Sequence, residues 1–262
     1  MIVSRLKQKL KDGSIVKGLA NTCPAPNIIE RMCQGWDFVW IDAQHGQYSY
    51  DSVLHSIRAA MTIGVDTIVR VPGHEYGVLG PYADTACSCI MVPMVDDRDQ
   101  AKKVVEGLKF PPIGMRSFGG RRMIDLYGRE YHKDNEVLVM AQIETPKAVE
   151  NLNSIAETEG IDILFFGPDD MKIRMDIDVN APVIGNKKLL DAMEEVSKAA
   201  FRTGKACGCI AADNYTMKLA LDMGYRLFMC GSDIGYLRSA SSARLEDVED
   251  LLKERESENR SK

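Results

Sequence analysis

The chain has 262 residues, 45% of them hydrophobic and 27% charged, with a formal net charge of -5. That length suits one α/β barrel, and the apolar content suffices for one large core, so a second domain is not required. The 33 basic residues are scattered, which excludes the concentrated positive surface of a nucleic-acid or anionic-membrane binder and favours a small-molecule partner. The opening MIVSRLKQKLKDGS lacks the apolar stretch of a secretory signal, and no later run is long enough to cross a bilayer. A cytoplasmic location is therefore expected. Seven cysteines, an odd number, argue for reduced thiols rather than a disulfide framework. Cys87/Cys89 and Cys207/Cys209 stand at i, i+2 in apolar runs, which predicts each pair on one face of a strand as small packing residues.

Along the chain, short β-branched or apolar runs alternate with longer segments of helical period, the pattern of repeated βα units. The predicted strands are Ile15–Asn21, Phe38–Ala43, Thr67–Val71, Cys89–Val95, Val137–Ile143, Ile161–Phe166, Ala206–Ala211 and Leu227–Cys230. Amphipathic helices are predicted at Ser49–Met61, Arg98–Leu108, Pro146–Thr158, Lys187–Arg202 and Asn214–Met223. Gly35, Gly64, Gly160, Gly204 and Gly224 fall between helix and strand, where a left-handed cap is commonly needed. Eight such units, with no GxGxxG after the first strand, favour a closed (β/α)8 TIM barrel over a doubly wound sheet. Phe110–Glu136, with PPIGMRSFGGRR, reads as a long irregular and functional loop. The organisation expected is one barrel domain over residues 1–246 and a charged helix or tail over 247–262.

In such a barrel the working face is built from the C-terminal ends of the strands. The second predicted strand runs into Asp42, Gln44 and His45, and the third carries Arg70 among apolar neighbours. Gln142 and Glu144 alternate in phase, so both project from one face of the fifth strand. The sixth passes into Gly167, Pro168, Asp169 and Asp170, next to the fifth. On spacing alone, Glu144 and Asp170 serve equally well as ligands of one cation or as ion-pair partners of Arg70. His45 reads equally as a catalytic or a hydrogen-bonded structural histidine.

The segments Asp42-Ala-Gln-His45-Gly, Val69-Arg70-Val-Pro, Met91-Val-Pro-Met-Val, Phe110-Pro-Pro-Ile-Gly-Met-Arg116, Gln142-Ile-Glu144-Thr and Gly167-Pro-Asp-Asp170 are collinear with, and resemble, those of the HpcH/HpaI aldolase/citrate lyase family. Within it they are most similar to metal-dependent class II pyruvate aldolases that cleave 4-hydroxy-2-oxo acids. The resemblance implies a divalent cation (Mg2+, Mn2+ or Co2+) on Glu144 and Asp170, with Gln142 beside it. It implies that Arg70 contacts the 2-oxo group and that His45, oriented by Asp42, transfers a proton. It also implies a 2-oxo acid and an aldehyde as partners, and a homo-oligomer, commonly a hexamer that exchanges the last helix, here Ile234–Leu252. The Gly167-Pro168-Asp169-Asp170 turn is expected to present main-chain N–H groups to the substrate carboxylate.

The chain departs from the pattern at Gln44, where a glutamate is common, at Asp169, where a small residue is common, and at Lys172 and Arg174, which stand among usually small residues. Either cation is expected to bind an acidic aldehyde, to pair with Asp169 or to face solvent; Arg116, Arg121 and Arg122 in the long loop are open to the same readings. Two other functions fit the same scaffold: a lyase or decarboxylase acting on another 2-oxo or acyl substrate, and a metabolite-binding barrel without catalysis. A Schiff-base aldolase fits poorly, because no predicted strand ends in a lysine.

Overall fold

A computed structural model describes residues 4–134 and 137–260. Positions 135–136 of the predicted loop and 261–262 of the tail lie outside the described residues. Eight parallel strands close on themselves in chain order: β1 (Val16–Asn21), β2 (Phe38–Asp42), β3 (Asp66–Arg70), β4 (Cys89–Val92), β5 (Leu138–Ile143), β6 (Ile163–Phe166), β7 (Ala206–Ile210) and β8 (Leu227–Ser232). The predicted (β/α)8 barrel is the fold, and each predicted strand is present.

Side chains that alternate along each strand divide between two apolar layers, as a period of two requires. Phe38, Trp40, Ile68, Met91, Met140, Phe165 and Met229 point inward and fill the barrel. Ile41, Val69, Ile90, Val139, Leu164 and Phe228 point outward, against Val53, Ile57, Leu79, Val104 and Leu108 of the surrounding helices. Trp40 and Phe165 meet edge to face across the interior, ring centroids 5.6 Å apart. Above this plug the same inward rows continue into polar residues, so β2–β3 register places Asp42 opposite Arg70, and β5–β6 register places Gln142 opposite Phe165.

The predicted helices are present at Tyr50–Thr62, Arg98–Leu108, Lys187–Thr203 and Asn214–Asp222. Pro146–Thr158 is two short helices, Pro146–Glu150 and Leu152–Ala156, because Asn151 ends the first and caps the second. The segment read as irregular from Phe110 contains the helix Arg121–Tyr127, and Pro168–Arg174, read as turn and loop, is helical. The five glycines between helix and strand all adopt positive φ.

All seven cysteines are free. Cys207 and Cys209 share the outer layer as predicted, but Cys87 and Cys89 do not share a face: Cys89 packs inside the barrel and Cys87 outside. Cys87 precedes β4, just after Ala86 at φ 65°, so strand alternation does not apply to it.

The last helix runs unbroken from Asp233 to Arg260, and only Asp233 is buried. That carboxylate accepts from the backbone N–H groups of Thr22 and Cys23 and from Asn21 Nδ2, at 2.8–3.1 Å, fastening the end of β1 to the end of β8 where the barrel closes. Among the described residues no helix is long and apolar enough to cross a membrane.

Removing the Phe165 ring leaves a void against Trp40 at the barrel centre. Phe165→Ala is expected to lose about 3–5 kcal/mol of stability, read as a lowered urea midpoint at unchanged slope.

Candidate active site

At the C-terminal mouth of the barrel, Asp42, His45, Arg70, Gln142, Glu144, Gly167, Pro168, Asp169 and Asp170 line one cavity of about 280 Å³. All of the residues predicted for the site meet there. The lining also includes Ala20, Thr22, Trp40, Ile210, Met229 and Ser232, which sequence reasoning missed. Their signal was available only as inward phase on β1, β2, β7 and β8.

Arg70 and Asp42 form a two-pronged ion pair, Nε to Oδ1 at 2.9 Å and Nη2 to Oδ2 at 2.6 Å. The guanidinium also sits 4.9 Å above the Trp40 ring, so it is held on two sides. Burial works to raise the Asp42 pKa, but hydrogen bonds and charge from Arg70, with main-chain N–H groups of His45 and Gln44, outweigh it and hold the carboxyl below its usual value.

His45 occupies the turn after β2. Asp42 reaches it through the main chain, accepting from the His45 N–H at 3.2 Å; the expected contact with the imidazole is not made. The ring has no hydrogen-bond partner among the described residues and faces the cavity. Gly46 permits this turn, since a Cβ there would collide with the Asp42 carbonyl.

Glu144 lies one residue beyond β5 and is 2% exposed. Thr145 follows it and accepts from the Ala148 N–H at 2.9 Å, starting the next helix, so Glu144 is pinned between strand and helix. Its Oε1 accepts from the Met94 N–H at 2.8 Å and its Oε2 from Gln142. Met94 makes that bond from a left-handed backbone at φ 56°, uncommon for a residue with a long side chain. Burial pushes the Glu144 carboxyl up; the Met94 N–H opposes this, the Asp170 charge adds to it and Arg70 and Arg174 oppose it, and the result is about 7.

Asp170 sits in the first turn of the helix Pro168–Arg174, where its Oδ1 accepts from Arg174 at 2.7 Å. Asp169 projects to solvent and pairs with Lys172 at 3.3 Å. Lys172 is buried and also donates to the Val179 carbonyl, which makes it a brace for the loop and not a cavity group. Arg116 pairs with Asp84, Arg121 with Asp125, and Arg122 donates to the Thr85 carbonyl; none of the three lines the cavity.

The donor set suits a hard divalent cation. Both acids offer oxygen, and burial with mutual repulsion leaves Glu144 short of positive charge. Gln142 Oε1 is buried with no partner, a place for a coordinated water to donate. A Cβ on Gly167 would lie 2.9 Å from both Gln142 Nε2 and Glu144 Cβ, so glycine there keeps the floor of this cradle open. Among the described residues no third His, Cys, Asp or Glu joins the acids. Water and substrate oxygens would supply the cation's other ligands.

The raised Glu144 pKa has a stability consequence in the metal-free protein. The unfolded chain releases this proton near the ordinary value of 4.5 and the folded protein near 7, so the folded state binds more protons between them. Stability contributed by this group therefore falls as pH rises from about 4.5 to 7. Glu144→Gln is expected to remove that slope and to be more stable than the parent at pH 8 by on the order of 3 kcal/mol, measured by urea unfolding of metal-free protein across the window.

The model of the HpcH/HpaI aldolase/citrate lyase family matches residues 24–240. A 4-hydroxy-2-oxovalerate aldolase of Novosphingobium aromaticivorans is 32% identical over 241 residues, 88% of this chain and 89% of the relative. A hydroxypyruvate/pyruvate aldolase of Delftia acidovorans is 28% identical over 80% of this chain and 79% of its own length. The crystal structure of an HpcH/HpaI aldolase/citrate lyase family protein from Burkholderia cenocepacia superposes with a TM-score of 0.85 at 27% identity, covering 94% of this chain and 100% of that one. With its family model matched across the barrel and its strand-end motifs gathered into one mouth, the chain belongs to the HpcH/HpaI aldolase/citrate lyase family.

Proposed function

We propose that this protein is a metal-dependent class II aldolase that cleaves or forms 4-hydroxy-2-oxo acids, exchanging them with pyruvate and an aldehyde. The observation that carries the reading is the buried Glu144, which shares a cavity with Asp170 and with the fixed charge of Arg70. Relatives of this chain act as 4-hydroxy-2-oxovalerate and hydroxypyruvate/pyruvate aldolases. Glu144 and Asp170 would hold a divalent cation, Mg2+, Mn2+ or Co2+. When bound, it supplies a Lewis acid for the negative oxygen that develops when a proton or an aldehyde leaves the carbon next to the 2-oxo group.

Arg70 holds the same oxygen from a second side. Its pairing with Asp42 and its seat over Trp40 keep the guanidinium in place before substrate arrives, so little reorganisation is needed as charge grows. In the first turn of the helix Pro168–Arg174, Pro168 has no N–H and Gly167 donates its own to the Ile143 carbonyl, so the N–H groups left without intrahelical acceptors are those of Asp169 and Asp170, and these bind the substrate carboxylate. Asp169 turns its own carboxylate to Lys172 and solvent, which limits repulsion. His45, whose ring has no hydrogen-bond partner among the described residues, takes the proton of the C4 hydroxyl in the cleavage direction and returns it in synthesis. Trp40, Phe165 and Met229 close the floor and reduce screening by water.

The protein is taken as a homo-oligomer of the cytoplasm, and the long terminal helix supports the first of these. Leu237, Leu245, Leu251 and Leu252 are exposed along it; in an assembly of six that exchanges this helix they would be covered by a neighbouring barrel. Light scattering is expected to give a mass of several subunits.

With metal present, the parent enzyme is expected to exchange the pyruvate methyl protons for deuterium without any aldehyde, and to release pyruvate from a 4-hydroxy-2-oxo acid. Glu144→Ala and Asp170→Ala should each slow that exchange by about a hundredfold or more. Exchange that persists in both variants removes the proposed site. Absence of exchange in the metal-loaded parent removes the aldolase reading.

A further inference from the structure

The helix Pro168–Arg174 ends in a cation that the aldolase reading leaves unused. Arg174 Nη1 donates to Asp170 Oδ1 at 2.7 Å and lies 3.4 Å from the Asp170 carbonyl oxygen. Its Nη2 reaches Met94 Sδ at 3.5 Å. Met94 is the residue whose main-chain N–H donates to Glu144. One guanidinium therefore grips one of the two acids directly and touches the support of the other. The remaining cations nearby are committed elsewhere: Arg70 to Asp42, and Lys172 to Asp169 and the Val179 carbonyl.

The pair is half-exposed, with 36% of the Arg174 side chain and 39% of Asp170 open to solvent. Asp170 Oδ2 has no hydrogen-bond donor among the described residues. A dication approaching Asp170 meets a carboxylate already half neutralised. Either the guanidinium withdraws, losing its bonds to Oδ1 and its contact with Met94, or it stays, and two positive groups share one acid.

Both outcomes weaken metal binding relative to a bare pair of acids. We propose that Arg174 is an internal counter-cation that competes with the divalent metal for Asp170 and so sets the metal affinity of the site. It acts through Asp170 and is a positioning residue that does not touch substrate. The inference rests on the reading of Glu144 and Asp170 as the metal ligands. Solvent at the pair screens the repulsion, which places the effect in the range of tens and not thousands.

The test is a titration of the metal-free protein, all 262 residues present, with Mn2+, free ion being counted from its paramagnetic resonance signal without substrate. Arg174→Met is expected to lower the Mn2+ Kd about tenfold. Arg174→Lys keeps a positive charge at the i+4 position and is expected to stay within about threefold of the parent. Raising ionic strength should narrow the gap between the Met variant and the parent. A Kd unchanged or raised in Arg174→Met overturns the proposal, as does an Arg174→Lys variant that binds as tightly as Arg174→Met. Glu144→Gln and Asp170→Asn run alongside: loss of Mn2+ binding in both upholds the ligand assignment on which the proposal stands, whereas parent-like binding in either sinks that assignment whatever the Arg174 variants do.

Discussion

Closing eight parallel strands into a ring leaves each strand one inward face, and every second residue must point into a space that holds little water. Large apolar groups can fill that space at mid-height, as Trp40, Phe165, Met140 and Met229 do. Where the strands end, the inward rows continue upward without a lid of apolar neighbours, and polar groups there face one another across a narrow mouth. Asp42, Arg70, Gln142 and Glu144 are the upward continuations of rows that contain Trp40, Ile68 and Met140. Their convergence is a consequence of register, with the packed plug beneath them keeping the spacing rigid.

Charge inside that mouth is unevenly paired. Asp42 pairs with Arg70 through both carboxylate oxygens, so the Arg70 charge reaches the rest of the cavity partly offset, opposing the rise at Glu144 without cancelling it. Glu144 has only neutral donors, Met94 N–H and Gln142 Nε2, and an acid for a neighbour. Hydrogen bonds from dipoles do not replace a full positive charge in a buried place. A divalent ion would supply that charge, and Arg174 supplies part of it from the rim. The two are alternatives for the same electrostatic need.

The loops complete what the strands begin. Gly46 lets the chain fold back over the Asp42 carbonyl and present His45; Gly167 lets β6 turn into a helix without pushing on Gln142 and Glu144. Asp233 ties the first and last strands together at the same end of the barrel. Each of these residues acts by steric allowance or main-chain hydrogen bonding, and each keeps a side chain of the mouth where its strand has aimed it.

Much of this was legible in the linear chain. Alternation of apolar residues, helical period and glycine punctuation follow local rules, which is why all eight strands, their order and the polar strand ends at Asp42, Arg70, Glu144 and Asp170 could be read directly. Short elements carried too little period to be seen: the helix Pro168–Arg174 spans under two turns, and Asn151 divides a continuous amphipathic pattern. Partnership was decided by tertiary structure alone. The Asp42–Arg70 pair joins residues 28 apart and depends on β2–β3 register, and Met94 reaches Glu144 across 50 residues through a left-handed backbone. Arg174 meets Asp170 only because the segment between them is helical. Local preference depends on neighbours in sequence and so can be read along the chain; electrostatic partnership depends on distance in space, which exists only once the barrel has closed.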